Sequence, residues 1–582
     1  MIWITAIFLP LLIAVIVPFA GGPVRRVLVP LAPLPALWLA LFVPADAGAA
    51  IDSLVLGTRF GFGRAGQIFL LFTAGLWLVA AIYGQGYFSR DSRRWLFHGF
   101  FLLTMTGNFG LILALDVPSF YTFFALMTFS AFGMVIHTGT PEAKRAARIY
   151  LITAVAGEAL LLGAVFLAVG AAGSTLLGDL APAVAASDSR NLIILLAFFG
   201  FGVKAGALPV HFWLPLAHPV APVPASAVLS GAMIKAGLLG WWHFLPMGHG
   251  AFPGWSLFCI ATGLAAAFGA AIVGSTQNDP KTALAYSSIS QMGVMTVILG
   301  IGLSRPEAWT AALPVLLLYA LNHALAKGAL FFGAGIARST GPSGWSPRLV
   351  MIGLLVPVLV IAGAPWTGGA MVKDAMKDLA GGMPGGMVPW LDWLLPLTAA
   401  GTSLLLGRFL WLVRSEMRGQ PSGQAHPLMW IAWLPLIAAV LAAVAFAAQY
   451  YTFDVPHAPS SPISLWKNAW PILLGILLLL GLIRSTGARR AWPTIPAGDL
   501  VVLLERAAVG LRRVWSTLSL PGPSRWAMNF VEPLERLAES ERRSDFANRL
   551  EERLRHRSVP GVLFIVLALG LMALLIFGTP VR

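Results

Sequence analysis

The sequence predicts an all-α polytopic membrane protein, and three observations predict it. Of the 582 residues, 58% are hydrophobic and only 11% charged, with a mean hydropathy of +0.80. A soluble chain carries roughly 25% charged residues, so there is too little polar surface here to face water. The apolar residues also come in successive runs of about 20, the length that crosses a bilayer as a helix. Finally, Gly (61) and Pro (41) are abundant; they would mean disorder in a polar chain but are tolerated inside membrane helices. Nucleic-acid binding, a secreted disulfide scaffold and a large soluble enzyme are excluded. Cys259 is the single cysteine, so no disulfide, Fe–S or cysteine–zinc site can be built, and no metal or cofactor is expected.

Apolar spans centre near residues 10, 36, 76, 106, 127, 161, 200, 234, 263, 293, 322, 356, 401, 438, 476 and 568, about 16 transmembrane helices. The first, Ile2 to Phe19, lacks a basic n-region and a small-residue cleavage site and reads as a retained helix. The charges between spans alternate. One set of loops carries Arg25 and Arg26, Arg90, Arg93 and Arg94, Lys144, Arg145 and Arg148, Lys281, Arg338, Arg348, Arg414, Arg418, Arg484, Arg489 and Arg490. The opposite set is poorer, with Arg59, Arg64, Arg190, Arg305 and Lys467. The positive-inside rule then puts the basic loops in the cytoplasm and both termini outside, in the inner (cytoplasmic) membrane. These loops account for most of the net charge of +15. Residues 485–558 differ: prolines divide them, and Leu500, Leu504, Leu511, Leu518 and then Leu534, Leu537, Leu550 recur at helical spacing amid Arg and Glu. They read as amphipathic helix on the cytoplasmic face, either lying on lipid headgroups or contacting protein. Residues 559–582 re-enter the bilayer.

Charge inside the apolar spans carries the function. At mid-membrane it costs about 2.5–3.5 kcal/mol on insertion scales, so each instance marks a candidate site. Glu158, Lys204, Lys235, His323, Lys327, Lys373 and Asp374 are such residues, on separate spans except that His323 and Lys327 share a helical face and Lys373 and Asp374 are adjacent. Burial disfavours a charged lysine and a nearby carboxylate restores it, which is what lets a row of lysines pass protons. Lysines near helix ends can instead snorkel to headgroups, and Lys373, Asp374 and Lys377 could lie in a loop after Pro365. His211 and His218 are gate candidates or simply interfacial histidines, and Arg408 reads as structural. Pro209 and Pro215 follow Lys204, while Gly363, Pro365, Gly368 and Gly369 precede Lys373. Two broken spans, one lysine each, in corresponding halves point to an ion site.

The segments HFWLPLAHPVAPVPASAVLSGAMIKAGLLG, NDPKTALAYSSISQMG, LNHALAKGALFF and GAPWTGGAMVKDA resemble the antiporter-like subunits of respiratory complex I. The same family includes large Mrp cation/proton antiporter subunits and membrane subunits of energy-converting hydrogenases and formate hydrogenlyase. The resemblance runs from about residue 95 to 415. It implies two inverted five-helix repeats with broken helices, 95–246 and 247–415. Around them lie N-terminal helices (1–94), C-terminal helices (416–484), a lateral helix (485–558) and a last transmembrane helix (559–582), the layout of the distal complex I subunit. It also implies roles: Lys204 as proton-accepting lysine of the first half-channel, Lys235 on the following helix, His323 and Lys327 as the linking pair, and Lys373 with Asp374 at the exit. Glu158 matches an acidic position. The family carboxylate that pairs with the first lysine would fall at Ala125, and Asp116 is too distant to replace it; Glu158 is expected to take over the pairing.

The expected function is proton translocation as a non-redox membrane subunit of a complex I-like or energy-converting oxidoreductase complex. Protons would enter toward Lys204 and Glu158 and leave near Lys373 and Asp374. The expected partners are other membrane subunits, braced partly by the lateral helix, with soluble catalytic subunits further away. The alternatives are a proton-conducting subunit of an inorganic-carbon uptake complex and a Mrp-type cation/proton antiporter subunit.

Overall fold

The computed structural model describes residues 2–51, 58–383, 388–421, 423–450, 461–485 and 494–498. Helices α1 (Ile2–Ile16), α2 (Gly22–Leu31) and α3 (Leu34–Phe42) lead into a hairpin of β1 (Gly48–Ile51) and β2 (Thr58–Gly61), paired antiparallel with Gly48 opposite Gly61. Then follow α4 (Arg64–Tyr87), α5 (Arg94–Leu113), α6 (Val117–Val135), α7 (Pro141–Ala172), α8 (Leu180–Ala186), α9 (Arg190–Ala205), α10 (Trp213–Val220), α11 (Val223–Val228) and α12 (Ile234–Phe244). The second half comprises α13 (Pro253–Ser275), α14 (Pro280–Leu303), α15 (Pro306–Arg338), α16 (Ser346–Ala362), α17 (Gly368–Gly381), α18 (Val388–Gly419), α19 (Pro427–Tyr450) and α20 (Pro462–Ser485). Among the described residues, 12 helices are long and apolar enough to cross a membrane. The protein is a polytopic helical membrane protein.

Local chemistry sets the ends. Asp116 accepts from the Ser119 N–H at 2.8 Å, Thr140 from Ala143 at 3.2 Å and Asp279 from Thr282 at 2.7 Å. Each is a side-chain N-cap followed by proline at the first or second helical position, where its missing N–H costs nothing. Asp116 is thus a cap, also accepting from the Arg59 N–H at 2.9 Å. α14 is buried along its whole length, and α15 from Val315 to Ala337; helices apolar all round belong in the interior. α13 meets α14 backbone to backbone: a Cβ on Gly263 would come within 2.5 Å of the Gly293 carbonyl oxygen, and the reverse. Only small residues permit that approach.

Two spans are broken, and both break alike. After α9, Gly206 turns left-handed (φ 73°), and the Ala207 N–H reaches back to the Gly202 carbonyl at 2.9 Å. After α16, Gly363 does the same (φ 83°), with the Ala364 N–H on the Leu359 carbonyl at 2.9 Å. This six-to-one closure around a glycine is the Schellman helix end. The indole N–H of Trp213 in α10 pins the first break by donating to the Val203 carbonyl at 2.7 Å. A π-helical segment, Leu229–Met233, precedes α12.

Each apolar span expected from residue 10 to residue 476 coincides with a helix. The span at 568, and residues 499–558 of the lateral stretch, lie outside the described residues. One placement is corrected and one alternative is decided. Lys281 is not a loop charge; it lies in the first turn of α14, 2% exposed, because Asp279 and Pro280 start the helix before it. Lys373, Asp374 and Lys377 sit within α17 rather than in a loop. Thr367 caps that helix from the break, accepting from the Ala370 N–H at 3.3 Å.

Candidate functional site

α7 and α9 bring Glu158 and Lys204 to one cavity of about 10 Å³, lined also by Phe124, Thr128, Tyr150 and Trp213. Both residues are buried. The Lys204 ammonium donates to the Tyr150 hydroxyl at 3.0 Å, which in turn donates to the Thr128 carbonyl at 2.6 Å. Neither oxygen of Glu158 has a direct hydrogen-bond partner, and nor does the Thr128 hydroxyl. The polar groups around the carboxylate are the Lys204 ammonium and the hydroxyls of Tyr121 and Thr128. The cavity is the size of one water. Ala125 lies on α6 one turn from each of those two hydroxyls, on the same helix face. Glu158 therefore faces the stretch of α6 where the resemblance would put an acid.

The centre of the molecule holds a direct contact between titratable side chains. Lys235 Nζ and His323 Nδ1 are 2.6 Å apart, and both residues are essentially inaccessible. Lys235 also donates to the Ser230 carbonyl, in the π-helical segment, at 2.7 Å. A π-bulge frees a carbonyl from the helical ladder, and the lysine takes it. His323 Nε2 has no partner. Lys327, one turn along α15, donates to the Leu284 carbonyl at 2.9 Å.

α17 carries the third group. Lys373 donates to the Ala362 carbonyl, the last residue of α16, at 2.9 Å. One residue on, Asp374 accepts from Lys377 at 2.9 Å and from Asn468 of α20 at 2.7 Å, and Lys377 also donates to Asn468 at 3.0 Å. This closed triad lies toward the end of the bundle where Arg305 donates to the Gly382 carbonyl at 2.6 Å. Sequence reasoning missed Asn468 and Tyr150, each a neutral polar residue close to a basic one at the edge of an apolar run.

The remaining candidates divide. His211 is buried in the turn of the first break, while His218, in the last turn of α10, has 0% exposure and stacks on Phe331 at 4.8 Å. Arg408 is structural: it donates to the Gln277 carbonyl at 3.2 Å and to Asn278 at 2.9 Å, clamping the turn between α13 and α14.

Residues 114–377 match the family described as NADH:quinone oxidoreductase/Mrp antiporter, transmembrane. All the candidate residues from Ala125 to Asp374, and both helix breaks, lie inside this matched stretch. The chain is 33% identical over 246 residues to hydrogenase-4 component B of Escherichia coli K12, covering 41% of the chain and 37% of that protein. It is 29% identical over 363 residues to Na(+)/H(+) antiporter subunit A1 of Staphylococcus saprophyticus, covering 58% and 45%. It thus spans less than half the length of either relative. The fold is shared with a chain of the Mrp complex from Dietzia sp. DQ12-45-1b (TM-score 0.69, 24% identity, 93% of this chain and 63% of that one). It is shared also with a chain of Thermus thermophilus respiratory complex I (TM-score 0.65, 22% identity, 82% and 100%).

Proposed function

We propose that the chain is a proton-conducting membrane subunit of a multisubunit complex of complex I, hydrogenase or Mrp type, with no redox chemistry of its own. Protons move along Glu158, Lys204, Lys235, His323, Lys327, Lys373 and Asp374, with His211 and His218 as gates beside the first break. The observation that carries this is the 2.6 Å contact between Lys235 and His323, a shared-proton pair of bases with no solvent access. Two cations cannot sit so close in a dry interior, so one site is neutral and able to accept what the other releases. The cavity at Glu158 has room and polar partners for one water between carboxylate and ammonium. The matching closures at Gly206 and Gly363 support two repeats, 95–246 and 247–415, each built around one break. Residues 485–558 would brace neighbouring membrane subunits.

The test is proton flux in vesicles holding the complex. Lys204→Ala and Lys327→Ala are each expected to lower flux by about tenfold or more; unimpaired flux in both overturns the reading. Exchange of a second cation is the alternative that the Na(+)/H(+) antiporter relatives favour. Flux that requires sodium on the opposite side of the membrane would select it.

A further inference from the structure

Lys281 has no part in the row above, yet it is the most anomalous charge in the molecule. It is 2% exposed and lies in the first turn of α14, directly behind the N-cap Asp279 and Pro280. A helix start is electropositive, so a cation is unfavourable there. Its ammonium donates to the carbonyls of Pro219 (3.1 Å) and Ala221, which flank the end of α10. Two of its three N–H groups are thereby used.

His218 stands beside those carbonyls. Neither of its ring nitrogens has a hydrogen-bond partner, and the charged groups that face it are Lys281 and Lys327. Phe331, on which it stacks, is one turn from Lys327 on the same face of α15. On its other side Lys281 is faced by Arg338, Asp279 and Glu416. These form a half-exposed network, with Arg338 to Asp279 at 2.8 Å and Arg338 to Glu416 at 3.2 Å. A series of ionisable groups, spaced beyond hydrogen-bond distance, thus leads from the Arg338 network past Lys281 and His218 toward Lys327.

We propose that Lys281 is the loading lysine of the row, taking protons from the Asp279–Glu416 carboxylates and passing them through His218 to Lys327. This rests on the proton-conducting reading and adds where the row is filled. The neutral Lys281 amine takes a proton from a protonated carboxylate. The ammonium gives one to a ring nitrogen of His218, and the imidazolium releases its other N–H proton to the neutral amine of Lys327. Ring rotation returns the starting tautomer, and each step moves one proton with no net change in bonds. An imidazole with both nitrogens free is what such two-sided transfer needs.

The experiment reconstitutes the complex, purified through a tag on this chain, into liposomes and reads flux with a trapped pH dye under an imposed pH gradient. Lys281→Arg keeps the cation and its carbonyl bonds but cannot release a proton; His218→Gln keeps a polar side chain but cannot shuttle. Both are expected to assemble, by size-exclusion profile, and to lower flux about tenfold or more. Wild-type flux in either assembled variant, with Lys327→Ala inactive, overturns the loading role alone. Wild-type flux in both Lys204→Ala and Lys327→Ala overturns the underlying reading and this proposal with it. If Lys281→Arg fails to assemble, His218→Gln decides.

Discussion

Glu158→Gln is the sharpest test of how the first lysine is paired. The substitution removes a charge and keeps the shape, so the cavity between α6, α7 and α9 survives. One water bridging carboxylate and ammonium, at about 2.8 Å to each, sets a separation of at most about 5.6 Å. At an effective dielectric of about 20, two unit charges there attract by about 3 kcal/mol. Removing the acid takes that much from the charged form of Lys204, about a hundredfold in its population relative to the neutral form. Tyr150 remains as a hydrogen-bond acceptor at 3.0 Å, so the lysine keeps its place while losing its charge partner. Proton flux in reconstituted vesicles is expected to fall about tenfold to a hundredfold, with assembly unchanged. The geometry of α6 supplies a rescue. Ala125 is one turn from Tyr121 and from Thr128, whose hydroxyls surround Glu158, so Ala125→Glu in the Glu158→Gln background returns an acid to the same space and should restore flux. Flux within about twofold of wild type in Glu158→Gln, where Lys204→Ala abolishes it, would refute the pairing, since about 3 kcal/mol cannot vanish unnoticed.

Three further outcomes follow from the geometry. Gly206→Ala and Gly363→Ala each place a side chain at positive φ, costing about 1 kcal/mol or more. A Cβ at 363 would meet Lys373 Cδ at 2.7 Å, while at 206 the nearest atom is 3.6 Å away; thermal melting in detergent should drop similarly for both, and flux should fall only for Gly363→Ala. Asn468→Leu strips Asp374 and Lys377 of a shared partner, an unmet polar cost of about 1–3 kcal/mol; flux should slow severalfold, and an unchanged rate would remove α20 from the outlet. On the basic face, His137 donates to Asp91 at 2.8 Å. Burial pushes the His137 imidazole below its ordinary 6.5, with Asp91 offsetting part. Burial works against the Asp91 carboxylate, but the bonds from His137 and the Arg93 N–H prevail and hold it below its ordinary 3.8. Both groups bind protons less readily when folded, so stability is full above pH about 6.5, falls as His137 is forced to charge, and falls again as Asp91 protonates. Melting at pH 5 against pH 7.5 should show the first loss, and His137→Gln should flatten it.

Much of this was legible in the chain because a buried charge in an apolar run is conspicuous. Lys204, Lys235, His323, Lys327 and Lys373 stand out by contrast alone, and Gly206 and Gly363 sit where Gly- and Pro-rich text follows a helix. Lys281 was misplaced because basic residues between spans were read as topology. The Asp–Pro ahead of it is a helix-start signature that would have put it in the first turn of α14. Tyr150 and Asn468 had no such signal. Each is a neutral side chain near a basic one, Arg148 or Lys467, and only its contacts with Lys204 or with Asp374 and Lys377 give it a role. The pairing of Lys235 with His323 joins residues 88 apart, which no periodicity reports.

What the sequence could not show at all is how so many lysines are held with so few acids. Lys235, Lys281, Lys327 and Lys373 each donate to backbone carbonyls: those of Ser230, of Pro219 and Ala221, of Leu284 and of Ala362. Every residue has a carbonyl, so composition is silent about this; what matters is which carbonyls the fold leaves free. Leu284 lies inside α14 and shares its carbonyl with the Ser288 hydroxyl at 3.0 Å; the others are left free by a π-segment at Ser230, by the end of α10 at Pro219 and Ala221, and by the broken end of α16 at Ala362. Helix C-termini are electronegative, and Lys204 lies in the last turn of α9, so both broken helices present that end to their lysine. A carbonyl differs from a carboxylate in one respect that matters for transport. It accepts from ammonium and neutral amine both, favours the charged form less than a carboxylate does and cannot itself take the proton, so it holds the side chain in place without trapping the charge. The break at Gly363 is therefore better understood as the means of holding Lys373 ready to change its charge than as a gap for water alone. Closing that break with a continuous helix would remove the acceptor while leaving every side chain of the row intact, and flux should be lost with the lysines still present.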